Sequence, residues 1–248
     1  MKSLLKMTWV EAKLFLREPA SAFFTLIFPL LMLLIFGAIY GANPVPGTDS
    51  TEAAIGALIP AFTGMSIGIV GLMPVTITMA TYRENGILRR LRTTPASPLM
   101  IMAAQVVVVF VMTALGVLLL MIAGKLVYHV QFTGNALSLA AGFTFCSLSF
   151  FGTGFVLAGT MPTARTAQIV AMVLMYPMLI LSGAGWPREL MPAAVLKISN
   201  FLPLTYVVNL LRGLWFGESW GQHLLDVGVL AVMLIAGVLI SLKTFRWE

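Results

Sequence analysis

Charged residues are scarce in this sequence: Asp, Glu, Lys and Arg make up only 10% of its 248 residues, whereas 59% are hydrophobic. Soluble domains are about 45–50% apolar, so a soluble fold of this composition could not cover its surface with polar groups. The composition therefore predicts a protein that lies in a lipid bilayer. We expect one integral membrane domain over residues 1–248.

Residues that support catalysis or metal binding are scarce as well. The chain has one cysteine, Cys146, and two isolated histidines, His129 and His223, which predict neither an intramolecular disulfide nor a metal site. No pairing of carboxylates, or of serine with histidine, marks an enzyme. The phosphate-binding pattern GxxxxGK[ST] is missing too, because the only Gly-Lys pair, Gly124-Lys125, is followed by leucine. We expect a non-enzymatic chain that binds no cofactor, so energy for any active transport must come from another polypeptide.

Acidic residues are outnumbered by basic ones, which gives a net charge of +6 and a pI of about 9.8. In a soluble protein this excess would suggest a nucleic-acid partner. In a membrane protein it is typical of basic cytoplasmic loops. We therefore expect no nucleic-acid partner.

What the sequence does have is long apolar runs, and six of them reach the ~20 residues that a membrane-spanning helix needs. They cover residues 20–42, 56–81, 99–124, 136–160, 167–185 and 223–242. Their cores contain no Asp, Glu, Lys or Arg, which disfavours a proton relay or an ion-coupled transporter. With the N-terminus in the cytoplasm, eleven Lys and Arg residues lie inside and four outside. The asymmetry predicts an all-α, multi-pass protein with both termini cytoplasmic.

The segment before the first span, residues 1–19, is amphipathic. On a helical wheel its basic residues share one stripe and apolar residues face the other way. The stripe consists of Lys2, Lys6, Lys13 and Arg17. We expect a helix that lies in the membrane interface with its basic stripe toward anionic lipid headgroups, ended by Pro19.

A second amphipathic segment, residues 186–217, lies between the fifth and sixth spans. It divides at Pro203 into two apolar-faced pieces, each too short to cross a bilayer. Because the fifth span ends outside and the sixth must start there, we expect a short re-entrant helical hairpin on the outer face. Two interfacial helices lying flat on the outer surface are the alternative.

The densest charge of the chain lies in YRENGILRRLRTTP, residues 82–95, within the predicted cytoplasmic loop 82–98. The spacing predicts a short helix from Glu84 to Thr93, which Pro95 ends. Its apolar patch would comprise Ile87, Leu88 and Leu91, with Arg89 and Arg92 projecting away. Arginines that only fix the topology are the alternative, but they would not require an apolar face. A short amphipathic helix on a loop is suited to bind in a groove of a partner.

The run Glu84-x-Gly86-x-Leu88-x-x-Leu91-x-x-x-Pro95 resembles the cytoplasmic loop of ABC-2-type exporter permeases. The outer segment resembles that family's motif between its fifth and sixth spans, at Gly183, Pro187, Pro203, Tyr206 and Arg212. The resemblance covers essentially the whole chain. It implies that the loop carries a coupling helix that contacts an ATPase subunit through Glu84, Gly86, Ile87, Leu88, Arg89, Leu91, Arg92 and Pro95.

The resemblance also implies a complex of two permease copies, as a homodimer, with two separate ATPase subunits that bind ATP and Mg. Such complexes lie in bacterial or archaeal plasma membranes and export drugs, antibiotics, lipids or lipid-linked glycans. The 16 Phe against 5 Tyr and 5 Trp favour an apolar or amphipathic substrate. Two alternatives are an ATP-independent transporter or channel, and a membrane assembly protein that transports nothing.

Overall fold

The computed structural model describes residues 2–42, 51–87, 98–185 and 191–244. Within these ranges the chain is helical, with turns and short connections and no strand. Several residues singled out above lie outside the described ones, namely Leu88, Arg89, Leu91, Arg92, Pro95 and Pro187. The predicted all-α class is confirmed.

The first helix, α1 (Lys2–Arg17), is followed at Pro19 by the first long apolar helix, α2 (Pro19–Ala42), which contains a π-helical turn at Phe23–Ile27. The remaining helices are α3 (Thr51–Leu72), α4 (Pro74–Glu84), α5 (Pro98–Tyr128), α6 (Ala136–Thr160), α7 (Ala164–Leu181), α8 (Ala193–Ser199), α9 (Pro203–Trp215) and α10 (Leu224–Thr244). Six stretches of the described chain are long and apolar enough to cross a membrane, as predicted. They are α2, α3 with α4, α5, α6, α7 and α10, which we call spans 1 to 6.

Span 2 lies at the centre of the bundle, since 83% of the residues in its most apolar 18-residue stretch are buried, against 17–28% for spans 1, 3, 5 and 6. Pro74 cannot donate a backbone hydrogen bond, and span 2 is interrupted at Met73, which separates α3 from the shorter α4. Pro60 lies within α3 without ending it. The span also starts earlier and ends later than predicted, at Thr51 and Glu84.

Span 4 packs against spans 2 and 6 through glycines. A Cβ on Gly154 would overlap the carbonyl oxygen of Gly71, and a Cβ on Gly237 would lie 3.0 Å from the backbone of Gly152. Small residues allow backbones of membrane helices to approach each other this closely. The glycines of span 4 therefore allow it to pack closely against spans 2 and 6.

The phenylalanines of span 4 are used in the same packing. Phe143, Phe150, Phe151 and Phe155 are all buried within the chain. They contact residues of spans 2 and 3 and stabilise the two apolar cores.

The helix pair between spans 5 and 6 has the predicted bend. The axes of α8 and α9 differ by 98° at the break before Pro203. A buried hydrogen bond closes the bend, in which Thr205 Oγ1 donates to the carbonyl of Ser199 at 2.6 Å. The seven residues of α8 are too few to cross a bilayer, as predicted for this arm.

Candidate functional site

We call the end of the bundle formed by α1, residues 82–87 and the turn 160–163 the basal face, and the end formed by residues 191–223 the hairpin face. On the basal face, Lys6, Lys13 and Arg17 are exposed, as a lipid-facing stripe requires. The ammonium of Lys13 lies 5.2 Å from the ring centre of Trp9, a cation–π distance. Helix α1 also exposes a row of large apolar side chains, Leu5, Trp9 and Leu16.

The side of α1 that faces the protein holds a carboxylate that the sequence did not single out. Glu11 is only 6% exposed and accepts a 3.0 Å hydrogen bond from the hydroxyl of Tyr82, near the end of span 2. Burial raises the pKa of the Glu11 carboxyl above its usual range, and the bond from Tyr82 opposes that shift. A cavity of about 60 Å³ adjoins the pair, lined also by Thr78 and Gln105. The i, i+4 spacing of Glu11 and Phe15, both buried, is the signal that could have indicated this face.

Replacing Glu11 with glutamine should stabilise the protein at pH 8 but not at pH 4. The pKa of the folded-state carboxyl lies above its ordinary value of 4.5, so Glu11 favours folding below that value and loses this contribution as pH rises through the folded pKa. Glutamine is neutral at both pH values and keeps an oxygen that accepts from Tyr82. Thermal unfolding in detergent measures the difference, at about 2–4 °C per kcal/mol for a protein of this size.

The control for this variant is Glu18→Gln, which alters an exposed carboxylate that lines the same cavity. We expect the control to change the melting temperature little at either pH. An equal gain for Glu11→Gln at pH 4 and pH 8 would contradict burial of a charged carboxylate as the cause.

The next two residues of span 2, Arg83 and Glu84, bind the turn between spans 4 and 5. Arg83 Nη1 donates to the carbonyl of Gly159 at 2.6 Å, and Nη2 donates to that of Met161. Glu84 Oε2 accepts from the backbone N–H of Ala164 at 2.7 Å. The turn 160–163 is thus held from both sides by neighbouring residues of span 2.

The loop helix was predicted to begin at Glu84, and this start was wrong, whereas residues 88–93 of the predicted helix lie outside the described residues. Glu84 is the last residue of α4, and Asn85 and Gly86 form a turn before the helical residue Ile87. Gly86 has φ +65°, a left-handed conformation that favours glycine at the end of a helix. The carboxylate of Glu84 binds the first residue of α7 instead of occupying the first turn of a loop helix.

The hairpin face brings together the described residues of the outer motif. Gly183, with φ +90°, lies just after span 5, and Pro203 is the first residue of α9. The hydroxyl of Tyr206 donates to the carbonyl of Asn200 at 2.5 Å, across the bend. Arg212 lies in the last turn of α9. These residues shape the bent helix pair.

His223, which looked isolated in the sequence, has two carboxylate partners on the hairpin face. Its Nδ1 lies 2.8 Å from Asp226 Oδ2, and its Nε2 lies 2.9 Å from Glu218 Oε2. Asn209 also donates to Asp226, at 3.4 Å. Among the described residues, no group of three or more His, Cys, Asp or Glu side chains is arranged to hold a metal. The cluster therefore joins α9 to the start of span 6.

The fold and both faces define a multi-pass membrane protein with an amphipathic first helix and a bent helix pair before its last span. The family model described as "ABC-2 type transporter" matches residues 2–216. The chain belongs to this family.

Three relatives show the same kinship. The chain is 30% identical to "Nodulation protein J" of Rhizobium leguminosarum bv. viciae over 40% of this chain and 38% of that protein. It is 31% identical to "Inner membrane transport permease YhhJ" of Escherichia coli (strain K12) over 77% and 53% of the two chains. It is 23% identical to "Probable multidrug ABC transporter permease YbhR" of the same strain over 65% and 44%. The chain spans about half the length of these relatives or less.

Proposed function

We propose that this chain is the membrane-spanning permease subunit of an ATP-driven exporter. The observation that carries the proposal is the family match over residues 2–216, on a chain with six helices long enough to cross a membrane. In this proposal a separate ATPase subunit binds ATP and Mg, and the 248 residues themselves contain no GxxxxGK[ST] motif. The complex contains two copies of this permease and two of the ATPase.

In this proposal the basal face is cytoplasmic and both termini lie on that side of a bacterial or archaeal plasma membrane. The distribution of positive charge supports this orientation. Lys6, Lys13, Arg17 and Arg165 are exposed on the basal face. The basic residues of α1 contact anionic headgroups, while its exposed apolar side chains enter the interface.

The loop that follows span 2 contacts the ATPase. Its contact residues are Gly86, Ile87, Leu88, Arg89, Leu91, Arg92 and Pro95. The left-handed turn at Gly86 supports this role, because it ends the span-2 helix and changes the direction of the chain at the start of the loop. The apolar residues Ile87, Leu88 and Leu91 enter a groove of the ATPase, and the arginines pair with acidic residues at its rim. Glu84 lies at the base of the loop.

The substrate is an apolar or amphipathic molecule: a drug, an antibiotic, a lipid or a lipid-linked glycan. The phenylalanines of span 4 are packed inside the chain and provide no support for this choice. Support comes from the exposed stripe of span 5, where Ile169, Val173, Tyr176 and Ile180 recur on one face and offer an apolar surface to substrate, lipid or the second copy. The name of the YbhR relative, which contains the word "multidrug", adds to this support.

Purification of a tagged chain with its native membrane partners, followed by reconstitution into lipid vesicles, tests the proposal. We expect an ATP-binding subunit to co-purify at one copy per permease, and ATP hydrolysis to be stimulated by members of a panel of lipids, glycans and drugs. Leu88→Asp places a charge in the apolar patch and Arg92→Glu reverses one at its edge. We expect each to lower substrate-stimulated hydrolysis and transport at least about tenfold, the effect of losing ~1.4 kcal/mol of coupling.

A matched control is Lys197→Glu, which reverses an exposed charge on the hairpin face. It should leave assembly and hydrolysis at the wild-type level. The proposal is wrong if no ATP-binding subunit co-purifies, as expected for an ATP-independent channel or an assembly protein. Full transport by both loop variants would contradict the assignment of the loop.

A further inference from the structure

Three consecutive residues at the basal end of span 2 each bind a different part of the molecule. Tyr82 donates to Glu11 of α1 at 3.0 Å. Arg83 donates to carbonyls at the end of span 4, and Glu84 accepts from the first N–H of span 5 at 2.7 Å. We call Tyr82-Arg83-Glu84 the junction. It connects α1, span 4 and span 5 to the point where the loop begins.

The charges of the junction match the helix ends that they bind. The last carbonyls of a helix carry partial negative charge and the first N–H groups carry partial positive charge. Arg83 binds Gly159, in the last turn of α6, and Met161, which follows that helix. Glu84 binds Ala164, the first residue of α7, where the Thr163 side chain already accepts from Thr166 N–H. Charge-assisted bonds of this kind hold their partners more tightly than neutral ones.

The other contact of the junction fixes α1 on the bundle. Glu11 and Phe15 are both buried on the inner side of α1, and Phe15 packs with Val108 and Val109 of span 3. Glu11 is thereby held between span 2 and span 3, while the basic residues of α1 stay exposed. The bond from Tyr82 is therefore a direct link between the end of span 2 and α1.

Helix α4, which ends in the junction, is set off from the rest of span 2. Its 11 residues run from the interruption at Met73-Pro74 to Glu84, and the loop turn at Asn85-Gly86 follows directly. Interruptions at proline are places where helices bend. A bond from Thr76 Oγ1 to the carbonyl of Gly154, 3.1 Å long and buried, holds α4 on span 4. A force on the loop therefore reaches α4 at its basal end, where the junction lies.

We propose that Tyr82, Arg83 and Glu84 are positioning residues that pass a displacement of the 86–97 loop at once to α1 and to the turn between spans 4 and 5. The inference rests on the proposed contact between that loop and an ATPase. The loop makes the contact with the ATPase, and the junction makes α1 and the turn between spans 4 and 5 move together. Without it, a push on the loop reaches spans 4 and 5 only through the packing of α4, which includes the bond from Thr76 to Gly154.

The test uses the complete complex of permease and ATPase in lipid vesicles, with Arg83→Met combined with Glu84→Ala. We expect the complex to assemble and the KM for ATP to stay unchanged, while the amount of substrate moved per ATP hydrolysed falls about tenfold or more. Tyr82→Phe removes one hydroxyl and should lower the same ratio less. Glu84→Gln keeps an oxygen that accepts from Ala164 and should retain most of the ratio.

A matched control is Arg165→Met, which removes an exposed arginine one residue after Ala164 and should leave the ratio unchanged. A purely structural role would lower the yield of the complex, its hydrolysis and its transport together, with a constant ratio. A constant ratio, whether at full or reduced yield, therefore overturns the inference. Should the double variant fail to assemble, Tyr82→Phe decides the matter: a ratio equal to that of the wild type overturns the inference.

The two proposals fail in different ways. If the wild-type chain brings down no ATPase, the proposed function is wrong. If Leu88→Asp uncouples the complex but the junction variants do not, the proposed function stands and the junction is only a structural contact.

Discussion

Adding one methyl group at Gly154 should destabilise the protein, while the same change at Gly228 should not. The Cβ of an alanine at position 154 would overlap the Gly71 carbonyl oxygen and lie 3.1 Å from Val75 Cγ1, so span 2 or span 4 would have to move. The movement would also disturb the bond from Thr76 to the Gly154 carbonyl. Overpacking costs about 1–3 kcal/mol and a buried hydrogen bond about 1 kcal/mol. We expect a total loss of about 2–4 kcal/mol.

Gly228 is a suitable control because it lies within a helix of the same kind, α10, and a Cβ there would have no atom within 4 Å. In a helix, alanine is favoured over glycine by roughly 0.5–1 kcal/mol. Gly228→Ala should therefore keep or raise the melting temperature, whereas Gly154→Ala should lower it by about 5–15 °C at ~2–4 °C per kcal/mol. Thermal unfolding of both variants in one detergent checks the prediction. Shifts of the same sign and size would contradict a backbone-to-backbone contact between spans 2 and 4.

The central position of span 2 explains why disturbing its packing should destabilise the protein so strongly. It is the most buried span, and both of its halves pack on span 4. Helix α3 packs with α9 of the hairpin face, where a Cβ on Gly64 would lie 2.9 Å from Val208. Helix α4 ends in the junction of the basal face. The same continuous segment thus reaches both faces of the protein.

The sequence predicted the spans because length and apolar composition are local properties. Span 4 agrees with its predicted bounds, residues 136–160, where Asn135 caps the helix through bonds to Leu137 and Ser138. Span 5 starts three residues before its prediction, because the side chains of Thr163 and Thr166 satisfy each other's backbone N–H groups. It ends at Leu181, before Gly183 takes up a positive φ. Such caps move a boundary without changing the number of spans.

The contacts of the candidate site could not be predicted in this way. Tyr82 and Glu11 are 71 positions apart, and Glu84 and Ala164 are 80 apart. Helical periodicity relates a residue only to neighbours three or four positions away in the chain. It therefore places Glu84 in the first turn of a helix that follows it, where an acidic residue is favourable. It does lie beside a helix N-terminus, but that of α7. The preference of an acidic side chain for a helix N-terminus is local, whereas the helix that supplies this N-terminus depends on the tertiary fold.

The carboxylate partners of His223 were not predicted from the sequence either. Asp226 lies three positions after it and Glu218 five before, so a local signal was present. The pattern is ambiguous because the chain bends here: Gly217, just before Glu218, has φ +89°, and a 3-10 turn follows at Trp220–His223. Only this bend lets one imidazole contact both carboxylates. The resulting cluster supports a second prediction of large effect.

Asp226→Ala should destabilise the protein much more than Glu218→Ala, although both carboxylates contact the same histidine. Asp226 is buried, accepts from Asn209 as well as lying beside His223, and occupies the first turn of α10. Its removal breaks the hydrogen bonds to Asn209 and His223, where a bond to a charged group contributes about 1.5–3 kcal/mol, and removes a negative charge from a helix N-terminus, at about 0.3–1 kcal/mol. Glu218 is 51% exposed, and an ion pair of that kind contributes about 0–1 kcal/mol. We therefore expect a loss of about 2–4 kcal/mol for Asp226→Ala and less than about 1 kcal/mol for Glu218→Ala.

Thermal unfolding of the two variants in detergent, with Asp226→Asn as a third, measures this difference. Asparagine keeps an oxygen for Asn209 but has no charge, so its melting temperature should lie between those of wild type and Asp226→Ala. Equal losses for the alanine variants would mean that His223, and not the buried carboxylate, holds α9 to span 6. Because Asp226 lies at the hairpin-face end of span 6 and the junction at the opposite face, the Asp226 variants should leave the ratio of transport to ATP hydrolysis unchanged in whatever complex still assembles.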